Sequence, residues 1–184
     1  MKIILIGYMG AGKTTLGKAL ARQMGLRFCD LDWYIEEQNG TTISQIFAQE
    51  GEAAFREKER QALHEAIQQD DIVLAVGGGT PCFFDNIDFM NQQARTIYLK
   101  ATPETLKAHI RMGGSKRPLV DGKTDEELIA YITESLEKRE PYYLQAQHVV
   151  EIDTITREEQ IDDYVKKIWQ KAKGKRPLSR RSQK

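Results

Sequence analysis

The sequence predicts an α/β fold, an open parallel sheet flanked by helices. Three observations predict it. Short apolar runs alternate with amphipathic helical stretches along most of the 184 residues. Glycines or acids close several of the apolar runs, as at Gly7, Asp30 and Gly77. The first apolar run feeds a glycine-rich turn and then a helical pattern. A βαβα rhythm of this kind builds parallel strands joined by crossover helices on both faces.

The elements follow in order. Residues 2–6 form a short apolar run ending at Gly7, which suits a buried parallel strand. Residues 13–24 read as a helix with Leu16, Ala19, Leu20 and Met24 on one face, closed by Gly25. A second strand is expected at 26–31. Helical pieces follow over 33–69, broken near Gly40 and Gly51. A third strand, 72–76, runs into Gly77-Gly78-Gly79. A helix is expected at 84–93 and a fourth strand at 95–99. The next helix, 102–111, has Thr102 as N-cap and Pro103 in its first turn. Residues 112–123 hold three glycines and a proline and read as a mobile lid. A helix over 125–139 stops at Pro141, a fifth strand occupies 148–152, and a last helix spans 157–173.

Composition narrows the function classes. The length suits one domain, placed over 1–172. With 27 basic and 27 acidic residues the formal net charge is zero, which argues against a polyanion coat and against an acidic disordered chain. Cys29 and Cys82 are too few for a disulfide framework. His64, His109 and His148 are dispersed, against a zinc site. No apolar run approaches the ~20 residues of a membrane span. The opening residues lack a cleavage-like site, so the expectation is a cytoplasmic protein. Residues 173–184 carry six bases and no acid and read as a disordered tail.

Chemistry enters at Gly7-Tyr8-Met9-Gly10-Ala11-Gly12-Lys13-Thr14, which fits G-x-x-x-x-G-K-[ST] at every fixed position. Its glycines let backbone N–H groups close around an anion at a helix N-terminus. Lys13 would reach the β- and γ-phosphates of a nucleotide, and the Thr14 hydroxyl would bind Mg²⁺. Asp30 and Asp32 sit where the second strand ends, on the same side as this loop. One suits Mg²⁺ and the other a substrate hydroxyl, although Asp32 also fits as an N-cap. Arg56 and Glu59 share a helix face; the stretch reads either as a solvated charged face or as a site in which the acid holds the guanidinium fork for a planar anion such as a carboxylate. Arg139, beside Pro141, is a second anchor or a helix-dipole partner. Arg111 and Arg117 flank and enter the lid, where an arginine would neutralise phosphate charge and exclude water.

Together these residues resemble the shikimate kinase family of P-loop proteins over about residues 1–172. The matching features are the phosphate loop, the Asp30/Asp32 pair, the run 40–47, and Gly51-Glu52 with Phe55-Arg56-x-x-Glu59. They continue with Gly77-Gly78-Gly79, Arg117-Pro118-Leu119 and Arg139-x-Pro141-x-Tyr143. The resemblance implies a P-loop kinase fold with a five-stranded sheet of order 2-3-1-4-5. It implies ATP-dependent phosphorylation of the shikimate 3-hydroxyl, on the route to chorismate and aromatic amino acids. The implied ATP site is Gly10, Ala11, Gly12, Lys13, Thr14, Thr15, Arg111 and Arg117, with Arg111 near the adenine. Lys13, Asp32 and Arg117 are the implied catalytic set, with Asp32 as base. Arg56 and Arg139 would clamp the substrate carboxylate, with Asp32 and the backbone of Gly78 and Gly79 completing the pocket. Thr14, and Asp30 through water, would hold Mg²⁺. The sequence departs from the family at Ala75 and Val76, where Ser or Thr often precedes the triple glycine.

Two other readings stay open on residues alone. One is a related kinase for gluconate or a nucleoside monophosphate. The other is a non-catalytic ATP-binding module whose basic tail contacts nucleic acid. The expectation is a monomer working on small molecules, with neither nucleic acid nor membrane as partner. Residues 1–172 hold 21 of the 27 bases against all 27 acids, a net of −6. An acidic body that binds anions must concentrate its positive charge locally.

Overall fold

The structure, a computed structural model, describes residues 1–113 and 120–174. Half of the predicted lid, residues 114–119 with Arg117, and residues 175–184 of the predicted tail lie outside the described residues.

The elements run β1 (Lys2–Ile6), α1 (Lys13–Met24), β2 (Arg27–Asp30), α2 (Leu31–Asn39) and α3 (Ile43–Ala66). Then come β3 (Ile72–Ala75), a single 3₁₀ turn (Thr80–Cys82), α4 (Asn86–Gln93), β4 (Arg95–Lys100) and α5 (Pro103–Met112). The chain continues through α6 (Asp125–Tyr143), β5 (His148–Glu151) and α7 (Glu158–Lys173). The five strands are parallel, in the order β2-β3-β1-β4-β5. The parallel architecture is the one read from the sequence, and the strand order is the one the resemblance implied.

Ile3, Ile4, Leu5 and Ile6 of β1 are fully buried, as expected of a central strand covered on both faces. Helix α1 packs on β3 and on α7, and α7 packs on β4. The chain leaves β1 towards β2 and leaves β4 towards β5. That divergence opens a crevice at the strand C-termini. Parallel register brings Leu5 beside Ala75 and Ala75 beside Asp30, so the ends of β1, β3 and β2 reach the crevice together.

Local chemistry explains most boundaries. Gly25 ends α1 at φ 66°, a left-handed conformation that costs glycine little. Thr42 with Gln45 and Thr124 with Glu127 form capping boxes that start α3 and α6. Thr102 caps α5 by accepting from the Thr105 N–H. Gly51 kinks α3 with φ 83° and ψ 173°, but the helix resumes at once. The break expected there is therefore one residue long.

Three expectations need correction. The helix expected from residue 84 starts at Asn86, because Phe84 takes φ 51°. The helix expected to stop before Pro141 runs on through Tyr143. Tertiary bonds hold that final turn: Tyr143 is buried and donates to Gly78, while Glu140 accepts from Tyr98 and pairs with Lys100. They outweigh the backbone bond that proline removes. Finally, the last helix, expected from residue 157, starts at Glu158 with Arg157 as its N-cap, and it ends at Lys173 as expected.

Gly17 of α1 faces the Phe28 ring. A Cβ there would stand 2.6 Å from a ring carbon and 3.2 Å from Leu5. Gly17→Ala is expected to lower stability by about 1–3 kcal/mol through overpacking. A urea melt reads this, and an unchanged midpoint would show that the ring yields freely.

Candidate active site

The phosphate loop joins β1 to α1. Gly10 and Gly12 adopt φ 84° and 85°, and a Cβ on Gly10 would come within 2.9 Å of the Leu106 carbonyl. The loop is therefore glycine-dependent both in conformation and in space. The Lys13 ammonium donates to the carbonyls of Gly7 at 2.8 Å and Tyr8 at 3.0 Å, folding back over the loop.

The acidic pair sits beside it. Asp30 caps α2: its Oδ1 accepts from the Asp32 N–H at 3.1 Å, and its Oδ2 accepts from the Thr14 hydroxyl at 2.8 Å. The capping role weighed for Asp32 thus belongs to Asp30. Thr14 and Asp30 present adjoining hydroxyl and carboxylate oxygens, a donor set that suits a hard divalent cation. Asp32 is thereby left free of the cap. Burial, then repulsion from Asp30, raises its carboxyl from the usual 3.8 to about 6, with Lys13 acting in the opposite sense.

Gly77-Gly78-Gly79 forms the floor between these groups and the arginines. A Cβ on Gly77 would lie 3.0 Å from Asp32 Oδ1 and 3.2 Å from Glu59 Oε1. On Gly78 it would lie 3.3 Å from Arg139 Nη1, and on Gly79 2.7 Å from both terminal nitrogens of Arg56. Each bare position thus accommodates a different charged side chain.

Arg56 is held from several sides. Its Nη1 donates to Glu59 Oε2 at 2.9 Å and its Nη2 to Glu52 Oε1 at 3.2 Å. Its guanidinium carbon lies 3.9 Å from the centre of the Phe83 ring. Glu59 is only 1% exposed, so its charge needs partners. Arg56 takes one oxygen and the Thr80 hydroxyl donates to the other at 2.6 Å. Arg139 lies over the Tyr8 ring, 5.4 Å from its centre. Tyr143 donates to the Gly78 carbonyl at 2.5 Å and fixes the backbone that Arg139 faces.

A cleft of about 640 Å³ runs from the phosphate loop past Asp30, Asp32, Gly77 and Gly78. Its far end is built from His109, Met112, Gly113 and the segment from Ile155 to Glu158. Thr15 lines it, and so does Val76, whose apolar side chain offers no oxygen beside Thr14 and Asp30. Arg111 is outside this lining. It binds Asp125 at 3.2 Å and the Lys123 carbonyl at 2.6 Å, and so braces α5 against the start of α6. Both cysteines are free thiols.

Thr80, Phe83 and His109 escaped the sequence reading of the site. Thr80 and Phe83 have no motif of their own. Their spacing just after the triple glycine was the only available signal.

Comparison with known proteins shows the family. The family model described as "Shikimate kinase" matches residues 9–170. A shikimate kinase of Bacteroides thetaiotaomicron is 46% identical over 168 residues, covering 91% of this chain and 96% of that protein. One from Phocaeicola vulgatus is 48% identical over 170 residues, covering 92% and 97%. The crystal structure of shikimate kinase from Bacteroides thetaiotaomicron superposes with a TM-score of 0.90 at 45% identity, covering 92% of this chain and 97% of that one. Shikimate kinase from Acinetobacter baumannii in complex with shikimate gives 0.76 at 35% identity, covering 92% and 90%.

The raised carboxyl of Asp32 has a cost in stability. Between pH 3.8 and about 6 the folded chain binds a proton that the unfolded chain has lost, so this group lowers stability as pH rises. Asp32→Asn in the ligand-free protein is therefore expected to be more stable by about 1–3 kcal/mol. The gain is full above about pH 6 and vanishes below 3.8. Denaturant melts at pH 7.5 and at pH 4 read it, and a pH-independent gain would assign it to another cause.

Proposed function

The chain belongs to the shikimate kinase family, and from that premise we propose that its cleft transfers the γ-phosphoryl group of ATP to the 3-hydroxyl of shikimate. One observation carries the residue assignments. Asp32, Arg139 and Arg56 come up against the successive glycines of one triplet, of which Gly77 and Gly78, like Asp32, line the phosphate-loop cleft while Arg56 and Arg139 stand outside its lining. A polyol carboxylate needs a hydroxyl acceptor and a carboxylate clamp at fixed separation, and these three residues supply both.

The nucleotide phosphates enter the loop formed by Gly10, Ala11, Gly12, Lys13, Thr14 and Thr15. Lys13 then exchanges the two loop carbonyls for phosphate oxygens. Thr14 and Asp30 would hold Mg²⁺, which would supply positive charge against the phosphates. Arg56 and Arg139 bind the substrate carboxylate, with Glu59 orienting the Arg56 fork. Asp32 accepts a hydrogen bond from the reacting hydroxyl and takes its proton as the phosphoryl group transfers. A carboxyl that titrates near 6 is a better proton acceptor at neutral pH than an ordinary aspartate. Arg117 stabilises the transferring phosphate, and Arg111 braces the lid base beside the nucleotide. We place the whole reaction on residues 1–172, in a cytoplasmic monomer that works without nucleic acid or membrane. Among the described residues no helix is long and apolar enough to cross a membrane.

The first test is ADP release measured with shikimate, gluconate, AMP and CMP in turn. Shikimate alone is expected to turn over, and preferred turnover of gluconate or a nucleotide would replace this reading. Arg139→Ala and Arg56→Ala are each expected to raise the shikimate KM about 10–100-fold while the ATP KM stays near its original value. Steady-state kinetics with each substrate varied separates the two effects. The kcat/KM for shikimate is expected to be full above about pH 6 and to fall tenfold per pH unit below it, as Asp32 takes up a proton.

A further inference from the structure

His109 joins two segments that are distant in sequence. Its Nδ1 lies 2.7 Å from the carbonyl of Gly10 in the phosphate loop. Its Nε2 accepts the backbone N–H of Ile155, after β5, at 2.8 Å. The partners set the tautomer. An amide only donates and a carbonyl only accepts, so Nδ1 carries the hydrogen and Nε2 has the lone pair. The ring is thus a rigid spacer between the two segments, and it lines the cleft itself.

The segment after β5 has other ties, chiefly to α7. The Asp153 N–H donates to the Tyr164 hydroxyl, and the N–H groups of Thr156 and Arg157 donate to Gln160 Oε1. Those bonds fix the segment's shape relative to the helix that follows it. They tie it to the phosphate loop only through the packing of α7 on α1, whereas His109 bonds Gly10 of the loop and Ile155 of the segment directly. The other link to α5, from Thr154 to Thr105, is 3.5 Å long. Phosphates seated at Gly10 to Thr14 leave the far end of the cleft, built partly by Ile155 and Thr156, as the wall for the base.

We propose that His109 is a positioning residue for the nucleotide. It sets the spacing between the phosphate loop and the base wall, and so the affinity for ATP and the preference for adenine over guanine. This rests on the kinase reading above. Two variants separate the two bonds. His109→Asn keeps a donor near Gly10 and loses the acceptor for Ile155. His109→Gln keeps an acceptor near Ile155 and loses the donor.

The test uses the full chain, with KM values for ATP, GTP and shikimate and calorimetric titration of ADP without shikimate. His109→Ala is expected to weaken ADP and raise the ATP KM about tenfold, as two hydrogen bonds are lost. The shikimate KM is expected to hold, and the ATP-to-GTP preference to fall. His109→Gln is expected to retain that preference and His109→Asn to lose it. Unchanged ADP affinity in all three variants overturns the proposal. So does identical behaviour of Asn and Gln, or an equal rise in the shikimate KM. Absence of shikimate turnover in the unaltered protein would overturn the kinase reading instead, while ADP binding would still test His109.

Discussion

Three glycines at the end of β3 set the geometry of the whole site. Gly77, Gly78 and Gly79 leave room for Asp32 with Glu59, for Arg139, and for Arg56, in that order. A methyl group on Gly79 would collide with the guanidinium at 2.7 Å, and one on Gly77 would press on two carboxylates. The bare backbone is therefore the surface on which acid and base chemistry are brought together. It is held rigidly. Thr80 and Tyr143 bond to the groups on either side, and Asn86, fully buried, donates to the Thr80 carbonyl.

That arrangement also answers the problem of charge. The body of the protein is net acidic, yet the site needs exposed positive groups. Arg56 is kept extended by acids on its own helix. Glu59 is buried and fully partnered, so its contact is permanent, while Glu52 is largely exposed and its pairing is weak. The buried acid positions the fork, and the exposed one leaves Nη2 the more easily exchanged of its two ends. Lys13 donates to two neutral carbonyls, and bonds from an ammonium to charged phosphate oxygens are stronger than those.

The legible parts of the sequence were those whose chemistry is local. The phosphate loop could be read because each fixed position has its own physical requirement. The strand order followed from the family resemblance, and helix ends from single capping residues such as Thr102, Thr124 and Gly25. What stayed hidden depends on distant partners. Pro141 reads as a helix stop until Tyr143 and Glu140 are seen tethered to residues 65 and 42 positions away. Arg111 sits in a motif that points to the nucleotide, whereas its observed partners, Asp125 and Lys123, lie across the lid segment. His109 has no signature at all, since its two bonds span 99 and 46 residues.

Asp32 shows why a kinase of this design tolerates a buried acid. Its ionised form is disfavoured by burial and by Asp30, and Lys13 offsets only part of this. In the ligand-free protein Lys13 is engaged with loop carbonyls, and the Asp30 carboxylate is shared between the α2 cap and Thr14. A divalent cation at Thr14 and Asp30 would neutralise the Asp30 charge and so lower the Asp32 carboxyl, whereas phosphates in the loop would raise it, both by drawing Lys13 away and by their own negative charge. Burial, the largest cause of the shift, depends on neither neighbour, so it is the burial of Asp32 that sets its carboxyl above the ordinary range.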